Sequence, residues 1–166
     1  MSLSAHGIAL SLPNEWDGRI YGRARLVANP AEASLVPGFD GIEQGHLATL
    51  HAANFPLSGA EGEFAAEATV RMPAAGAFVA LVEYQPDDRL VPGEGLFASR
   101  EVPRALAPGD FRPETLMVPR GDQVGLQRFF TAGARPFCLY AVIGSRGAAA
   151  RGSAAISDVL GSLVIV

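Results

Sequence analysis

Two long apolar segments near the end of the chain constrain its fold most strongly. Val124–Thr131 and Arg135–Gly144 are separated by a short turn that contains Gly133. Apolar side chains occupy both odd and even positions of these segments, and successive side chains of a strand point to opposite faces of a sheet. The two segments therefore predict a hairpin whose faces are both covered by other parts of the protein.

The rest of the C-terminal third predicts a helix and a last strand. Apolar residues recur at helical spacing and predict a helix over Ala148–Leu160. The apolar string 163–166 that closes the sequence predicts a strand. The residues of the helical stripe are Ile156, Val159, Leu160 and Leu163.

The N-terminal part of the chain predicts a hairpin followed by a loop. Apolar and small side chains alternate over His6–Leu12, which is typical of a half-buried strand. Trp16-Asp17-Gly18 predicts a turn, because Asp-Gly supplies the positive φ that a tight hairpin needs. Arg19–Val27 is then the returning strand, and the turn residues within Ala28–Gly45 predict a loop.

The middle of the chain predicts two further strands and a helix. Gly45–Ala53 is predicted as the third strand, and apolar side chains at helical spacing predict a helix over Glu61–Met72. Both faces of Ala77–Tyr84 are mostly apolar, which predicts a strand in the centre of a covered sheet. The helical stripe consists of Phe64, Ala68 and Met72.

A proline-rich excursion separates this strand from the C-terminal third. Six of the 34 residues from Pro86 to Pro119 are proline, and the segment has little periodicity. Proline lacks the N–H that a strand donates, so the sequence predicts a surface loop with at most a short strand over Gly95–Ser99. Loops of this length in a small domain are usually functional or mobile.

Length and composition indicate one domain of an ordered globular protein, since 49% of the 166 residues are hydrophobic and 18% are charged. The net charge of −4 argues against nucleic-acid or anionic-membrane binding, which needs a positive surface. No signal peptide and no membrane-spanning run are apparent, so a cytoplasmic location is expected. The single cysteine, Cys138, excludes an internal disulfide.

An arginine-rich strand is the first candidate site. Period two places Arg19, Tyr21, Arg23 and Arg25 on one face of the second predicted strand. Guanidinium groups around a ring could bind a phosphate, a carboxylate or an acidic partner, because arginine holds such groups with two hydrogen bonds. The alternative is a solvated face whose arginines pair with nearby acids such as Glu15 and Asp17.

A glycine-rich turn between a strand and a helix is the second candidate. Gly144, Ser145, Arg146 and Gly147 could direct free N–H groups toward an anion. The spacing matches neither a dinucleotide-binding loop nor a Walker loop, and Ile143 stands where a nucleophile elbow needs glycine. The alternative is an ordinary turn with a serine near the start of the helix.

No metal site or catalytic group is predicted from the remaining polar residues. His46 and His51 are five residues apart, so on one strand they face opposite sides and cannot share an ion. Asp40 and Glu43 could join His46 only if the preceding loop folded back. Cys138 is predicted to be a buried, inert thiol.

Two charged residues in strong strands and three aromatic residues remain. Glu83 and Arg128 would pair with each other if both pointed inward, because a buried charge needs a partner. Trp16 and the pair Phe129-Phe130 could anchor an interface, although aromatic side chains in a small domain mostly pack in the core.

The two ends of the chain resemble PsbP-like proteins, a group that includes eukaryotic nuclear-import accessory factors and many bacterial lipoproteins. The resembling residues are the opening 8–16, with Leu12-Pro13 and Trp16, and the closing segments 137–144 and 156–163. The middle of the chain does not follow the pattern of these proteins. The sequence also shows no secretion signal of the kind that the lipoprotein members have. The chain is also similar to actinobacterial proteins of unknown function.

This resemblance implies an antiparallel sheet backed by helices, and a role in binding proteins without catalysis. It supplies no catalytic residues and no cofactor. Together with the residue patterns it predicts an α+β domain with five to seven strands. The predicted function is a protein-interaction or assembly module, with a homo-oligomer left open. The alternative is a ligand-binding protein or minor enzyme with a pocket between the sheet and the loop 86–119.

Overall fold

The protein is described here from a computed structural model that covers residues 1–25, 46–59, 62 and 64–166. The fold is α+β, as predicted, but its strands form two antiparallel sheets instead of one. The small sheet has the order β1-β2-β8, with β1 Ser2–Ala5, β2 Ile8–Ser11 and β8 Val164–Ile165. The main sheet has the order β3-β4-β5-β7-β6, with β3 Asp17–Ala24, β4 His46–Ala53, β5 Ala77–Glu83, β6 Val124–Ala132 and β7 Arg135–Ile143.

The predicted C-terminal hairpin is confirmed as β6 and β7. The strands pair without interruption from Val124 opposite Ile143 to Ala132 opposite Arg135. Gly133 has φ +61° and begins the two-residue turn, where a hairpin of this length favours glycine. The predicted central strand is confirmed as well, because β5 lies between β4 and β7 and all of its residues are buried.

One face of the main sheet carries the larger core. This first face bears the side chains of Ala77, Val79 and Leu81 from β5. The helix α2, Ala149–Gly161, and the small sheet pack against it. A Cβ on Gly152 of α2 would lie 2.9 Å from the Ile143 side chain, so this glycine lets the helix approach the sheet closely. No helix in the described ranges is long and apolar enough to cross a membrane.

The predicted N-terminal hairpin is wrong, because the two strands belong to different sheets. The strand β2 pairs with β1, which was not predicted, and with β8, whereas β3 pairs with β4. Gly18 lies inside β3 without a positive φ. A Cβ at this glycine would lie 2.6 Å from the Leu12 side chain and 3.0 Å from the His51 oxygen. Close packing, not a turn, therefore explains the Asp-Gly sequence.

The opposite, second face of the main sheet carries a smaller core. The helix α1, Ala66–Arg71, is shorter than predicted and begins after Ala65, which has φ +46°. The predicted apolar stripe of this segment is confirmed, because Phe64, Ala68 and Met72 all pack into this core. The predicted helix start at Glu61, the strand end at Val27 and the loop 28–45 lie outside the described residues.

The proline-rich excursion is more integrated than predicted. It contains three 3-10 helical turns, Gly95–Phe97, Pro108–Asp110 and Pro113–Thr115, and no strand over Gly95–Ser99. Proline occupies the first position of two of these turns, where its missing N–H is not needed. The segment also contributes buried core side chains, namely Phe97, Leu106, Phe111 and Leu116.

A buried ion pair joins the two sheets, with a partner that the sequence did not predict. Glu83 is 2% exposed, and its carboxylate receives hydrogen bonds from Arg135 Nε at 3.0 Å and Nη2 at 2.7 Å. The backbone N–H of Ala48 donates to the same carboxylate at 2.7 Å. Arg128, the expected partner, lies on the surface and pairs with Asp110 at 3.2 Å.

The remaining donors of Arg135 reach the small sheet. Its guanidinium donates to the main-chain oxygens of His6 at 2.9 Å, Gly7 at 3.4 Å and Val166 at 2.7 Å. The Arg135 side chain thus links the β1–β2 turn and the last residue of the chain to the main sheet. This arrangement satisfies a charge that would otherwise be costly to bury.

Replacing Glu83 with alanine should lower the free energy of unfolding by about 3–5 kcal/mol, because Arg135 and the Ala48 N–H would lose their partner. Urea unfolding followed by circular dichroism measures the effect. The matched control is Arg128→Ala, which removes the exposed ion pair with Asp110 and should cost less than about 1 kcal/mol. Equal losses in the two variants would contradict the assigned role of Glu83.

Candidate functional site

A groove crosses the second face of the main sheet at the end where β5 stops. It consists of two adjoining cavities of about 670 and 410 Å3. Both cavities are lined by Tyr84, Asp87 and Leu90. The groove lies between the sheet and the proline-rich excursion. The alternative function in the sequence analysis, a ligand-binding protein or minor enzyme, expects a pocket at this place. Its other lining residues are Arg23, Ala24, Leu47, Val82, Glu83, Gln85, Arg89, Val91, Glu94, Gly95, Leu96, Phe97 and Phe129.

Three aromatic rings form the apolar floor of the larger cavity. Phe97, from the first 3-10 turn, lies between Tyr84 at the end of β5 and Phe129 on β6. The ring centroids of Phe97 and Tyr84 are 5.5 Å apart, as are those of Phe97 and Phe129. The Phe97 and Phe129 rings meet edge to face at 88°, an arrangement that aromatic pairs favour. This cluster fixes the position of the loop against the sheet.

The walls of this cavity are exposed to solvent. Leu96 is 64% exposed and Val91 is 42% exposed, whereas Phe97 beneath them is 5% exposed. Asp87, Arg89 and Glu94 add charges of both signs at the rim. The result is an open, mostly apolar surface with a polar border, which is the composition of a protein interface more than of an enclosed ligand site.

Thr131 on β6 holds the loop in place. Its hydroxyl accepts a hydrogen bond from Gly93 N–H and donates to the Phe97 oxygen, both at 2.8 Å, and its N–H donates to the Ser99 oxygen at 2.7 Å. Hydrogen bonds within the loop also hold its first residues, around Asp87. The N–H groups of Arg89 and Leu90 donate to the Asp87 carboxylate, and these bonds lower the pKa of that group.

The predicted arginine strand is found, and its side chains contact the protein itself. The β3–β4 register places Arg19, Tyr21 and Arg23 on the second face, whereas Arg25 lies just beyond the end of β3. Arg23 Nε donates to Thr49 Oγ1 at 2.8 Å, and its Nη2 donates to the Glu83 main-chain oxygen. Arg23 also lines the smaller cavity of the groove. Anion binding by these arginines stays a prediction.

The glycine-rich turn 144–147 already contacts a carboxylate of this chain. The N–H of Arg146 donates to the Asp122 main-chain oxygen at 3.0 Å and to its Oδ2 at 3.2 Å. Arg146 Nε lies 3.5 Å from Asp122 Oδ1. The hydroxyl of Ser145 donates to the Ala74 oxygen at 2.9 Å. These contacts account for Ser145 and Arg146 without an external ligand, and binding of a free anion stays a prediction.

Close packing explains one glycine of this turn, and open space surrounds the other. A Cβ on Gly144 would lie 2.0 Å from the Pro73 oxygen, whereas a Cβ on Gly147 would meet no atom within 4 Å.

Gly144→Ala should therefore lower the free energy of unfolding by about 1–3 kcal/mol through forced backbone movement. Thermal unfolding of Gly147→Ala is the matched control and should show little change. Equal melting temperatures for both variants would refute the packing argument.

The other predicted residues divide between the core and the groove. Trp16 and Phe130 are buried in the first-face core, where Phe130 stacks on Phe137 with centroids 5.7 Å apart. Phe129 lies in the groove. His46 and His51 point to opposite faces of β4, as predicted, and Asp40 and Glu43 lie outside the described residues.

Cys138 is a buried thiol, as predicted. It is fully covered within β7, and burial raises its pKa to about 12. A thiol with this pKa stays protonated and unreactive at neutral pH.

The Cys138 thiol should therefore resist modification in the folded protein. At about pH 8 a free cysteine is partly thiolate, so the denatured chain should react rapidly with a disulfide reagent such as dithionitrobenzoate. The folded chain should react only as fast as it unfolds. Absorbance of the released thiolate measures both rates, and rapid reaction of one thiol per folded chain would contradict the expected protection.

No protein-family model, curated protein or solved structure matches the chain. The groove is therefore interpreted from its own residues. The sequence marked the excursion and Phe129 as candidate features. It carried no signal that Leu90, Leu96 and Phe97 would meet Tyr84, because those contacts depend on the path of an irregular loop.

Proposed function

We propose that this protein is a non-enzymatic interaction module that binds an extended segment of a partner protein in the groove. The observation that carries the proposal is the pair of adjoining cavities with an aromatic floor and exposed apolar walls. A compact ligand would fill one cavity, whereas an extended chain can occupy both and place an apolar side chain over Phe97. The resemblance to PsbP-like proteins and the expected cytoplasmic location agree with this role.

The contacts of the groove suggest how the partner would be recognised. Leu96 and Val91 offer apolar area that water now covers, and burial of this area would be the main driving force for binding. The charged rim of Asp87, Arg89 and Glu94 would orient the segment. Because Thr131 and the aromatic cluster hold the loop, little ordering of the groove would accompany binding.

Selection of a random peptide library on the immobilised protein tests the proposal. Enriched peptides should share an apolar or aromatic residue, and Leu96→Glu should weaken their binding at least about tenfold, because it places a charge in the apolar wall. The matched control is Val70→Glu on α1, where an equally apolar residue is 51% exposed outside the groove. Failure to enrich any peptide, or peptides that bind Leu96→Glu as tightly as the original chain, would refute the proposal.

A small ligand is the second candidate, because the volume of the larger cavity falls within the range of about 300–1,000 Å3 that such ligands occupy. Chemical-shift mapping with small aromatic amides distinguishes the two. Shifts confined to Phe97, Phe129 and Leu96, with no peptide binding, would favour the small ligand. Peptide binding that also shifts Leu47 and Val82 in the second cavity would favour the partner segment.

A further inference from the structure

Two exposed histidines from distant parts of the sequence lie side by side on the first face of the main sheet. His6 is in the turn between β1 and β2, and His46 is the first residue of β4. Their ring centroids are 5.5 Å apart, and the ring planes are inclined at 46°. Forty residues separate them in the chain, so the sequence pattern does not pair His46 with His6.

Gly22 on β3 creates the space in which the rings meet. A Cβ at this position would lie 2.8 Å from Cε1 of His6 and 2.9 Å from Cδ2 of His46. Any other residue would therefore displace both rings. The two imidazoles share a recess that a side chain would fill.

The His6 backbone adopts a conformation that is unusual for histidine. Its φ is +49° and that of Gly7 is +72°, as a two-residue hairpin turn requires. Glycine, asparagine and aspartate are the usual residues at such positions, and histidine is also enriched among the non-glycine residues that adopt a positive φ. The hydrogen bond from Arg135 Nη2 to the His6 oxygen holds the turn. The ring of His6 is thus carried by a constrained turn and not by a loose terminus.

From this geometry we propose that His6 and His46 form an exchangeable site for a divalent transition-metal ion such as Zn2+. With Zn–N bonds of about 2.1 Å and ring nitrogens about 1.1 Å from the centroids, two imidazoles at a tetrahedral angle have centroids about 5 Å apart. The observed separation of 5.5 Å is close to this value. Because both side chains are exposed, their rings are free to rotate until one nitrogen of each faces the ion.

The ligand set defines the class of ion. Imidazole nitrogen suits Zn2+, Ni2+ and Cu2+, whereas Mg2+ and Ca2+ prefer oxygen ligands. The described residues contain no group of three or more His, Cys, Asp or Glu side chains that could hold a metal ion. The described part of the chain therefore supplies two ligands, His6 and His46, and further donors such as water complete the coordination. An ion held in this way exchanges readily, in contrast to a structural zinc with four protein ligands.

Calorimetric titration of the folded protein with Zn2+ alone tests the proposal. One saturable site is expected, and His6→Asn and His46→Asn should each weaken it by about tenfold or more, because a lost ligand costs at least as much as a lost second-shell contact. Asparagine also tolerates the left-handed turn at position 6. The double variant keeps His51 and measures any binding elsewhere.

Nuclear magnetic resonance of the unsubstituted chain keeps the test independent of variant folding. Addition of Zn2+ should shift the imidazole signals of His6 and His46 and leave those of the buried His51 in place. Absence of saturable binding, single variants that bind Zn2+ as tightly as the unsubstituted chain, or shifts confined to other residues would overturn the proposal. The groove lies on the opposite face, so Leu96→Glu should leave Zn2+ binding unchanged.

Discussion

The ion pair of Glu83 and Arg135 is the interaction on which the arrangement of the two sheets depends. Glu83 ends β5, and its carboxylate binds both the Ala48 N–H of β4 and the guanidinium at the start of β7. The same guanidinium binds the main-chain oxygens of His6, Gly7 and Val166, which lie together at one end of the small sheet. A buried carboxylate is stable only when its lone pairs are satisfied, so these contacts must form together. One side-chain pair therefore connects β4, β5 and β7 of the main sheet to the β1–β2 turn and to Val166.

The two candidate sites are built on opposite faces of the same end of the main sheet. His46 and Leu47 are successive residues of β4, and successive side chains of a strand point to opposite faces. His46 therefore belongs to the histidine pair on the first face, whereas Leu47 lines the groove on the second face. Tyr84, at the centre of the groove, directly follows Glu83 in sequence. A change in the Glu83–Arg135 pair would thus reach both sites, since the same short stretch of backbone supports them.

The spacing of apolar and polar residues was sufficient to predict those strands and helices whose burial follows a local pattern. The β6–β7 hairpin, the central strand β5 and α2 were predicted because apolar residues on both faces of a strand, or on one stripe of a helix, admit few alternatives. The N-terminal hairpin failed because Asp17-Gly18 fits two physical explanations. Its glycine can allow a turn or a close approach, and only the neighbouring Leu12 and His51 decide between them.

The candidate sites were harder to predict for a related reason. Alternation does not identify the partner of a charged residue. The sequence offers Arg128 to Glu83 only if both side chains point inward, whereas the partner in the structure is Arg135. The histidine pair joins a turn to a strand that lies 40 residues further along the chain, and no local pattern reports such a contact. The excursion was recognised by its prolines, whereas its inward-facing Phe97 and Leu116 were not, because irregular backbone has no period from which burial can be read.

The excursion has one more consequence, for association between copies of the chain. The outer side of β6 would present unpaired peptide groups to solvent, and such a strand can recruit a strand from another molecule. Here Arg112 exchanges two main-chain hydrogen bonds with Gly125, and Ser99 accepts one from Thr131 near the other end of the strand. The proline-rich segment therefore covers an aggregation-prone edge of the sheet, and Pro113, which follows Arg112, has no N–H with which to extend this pairing.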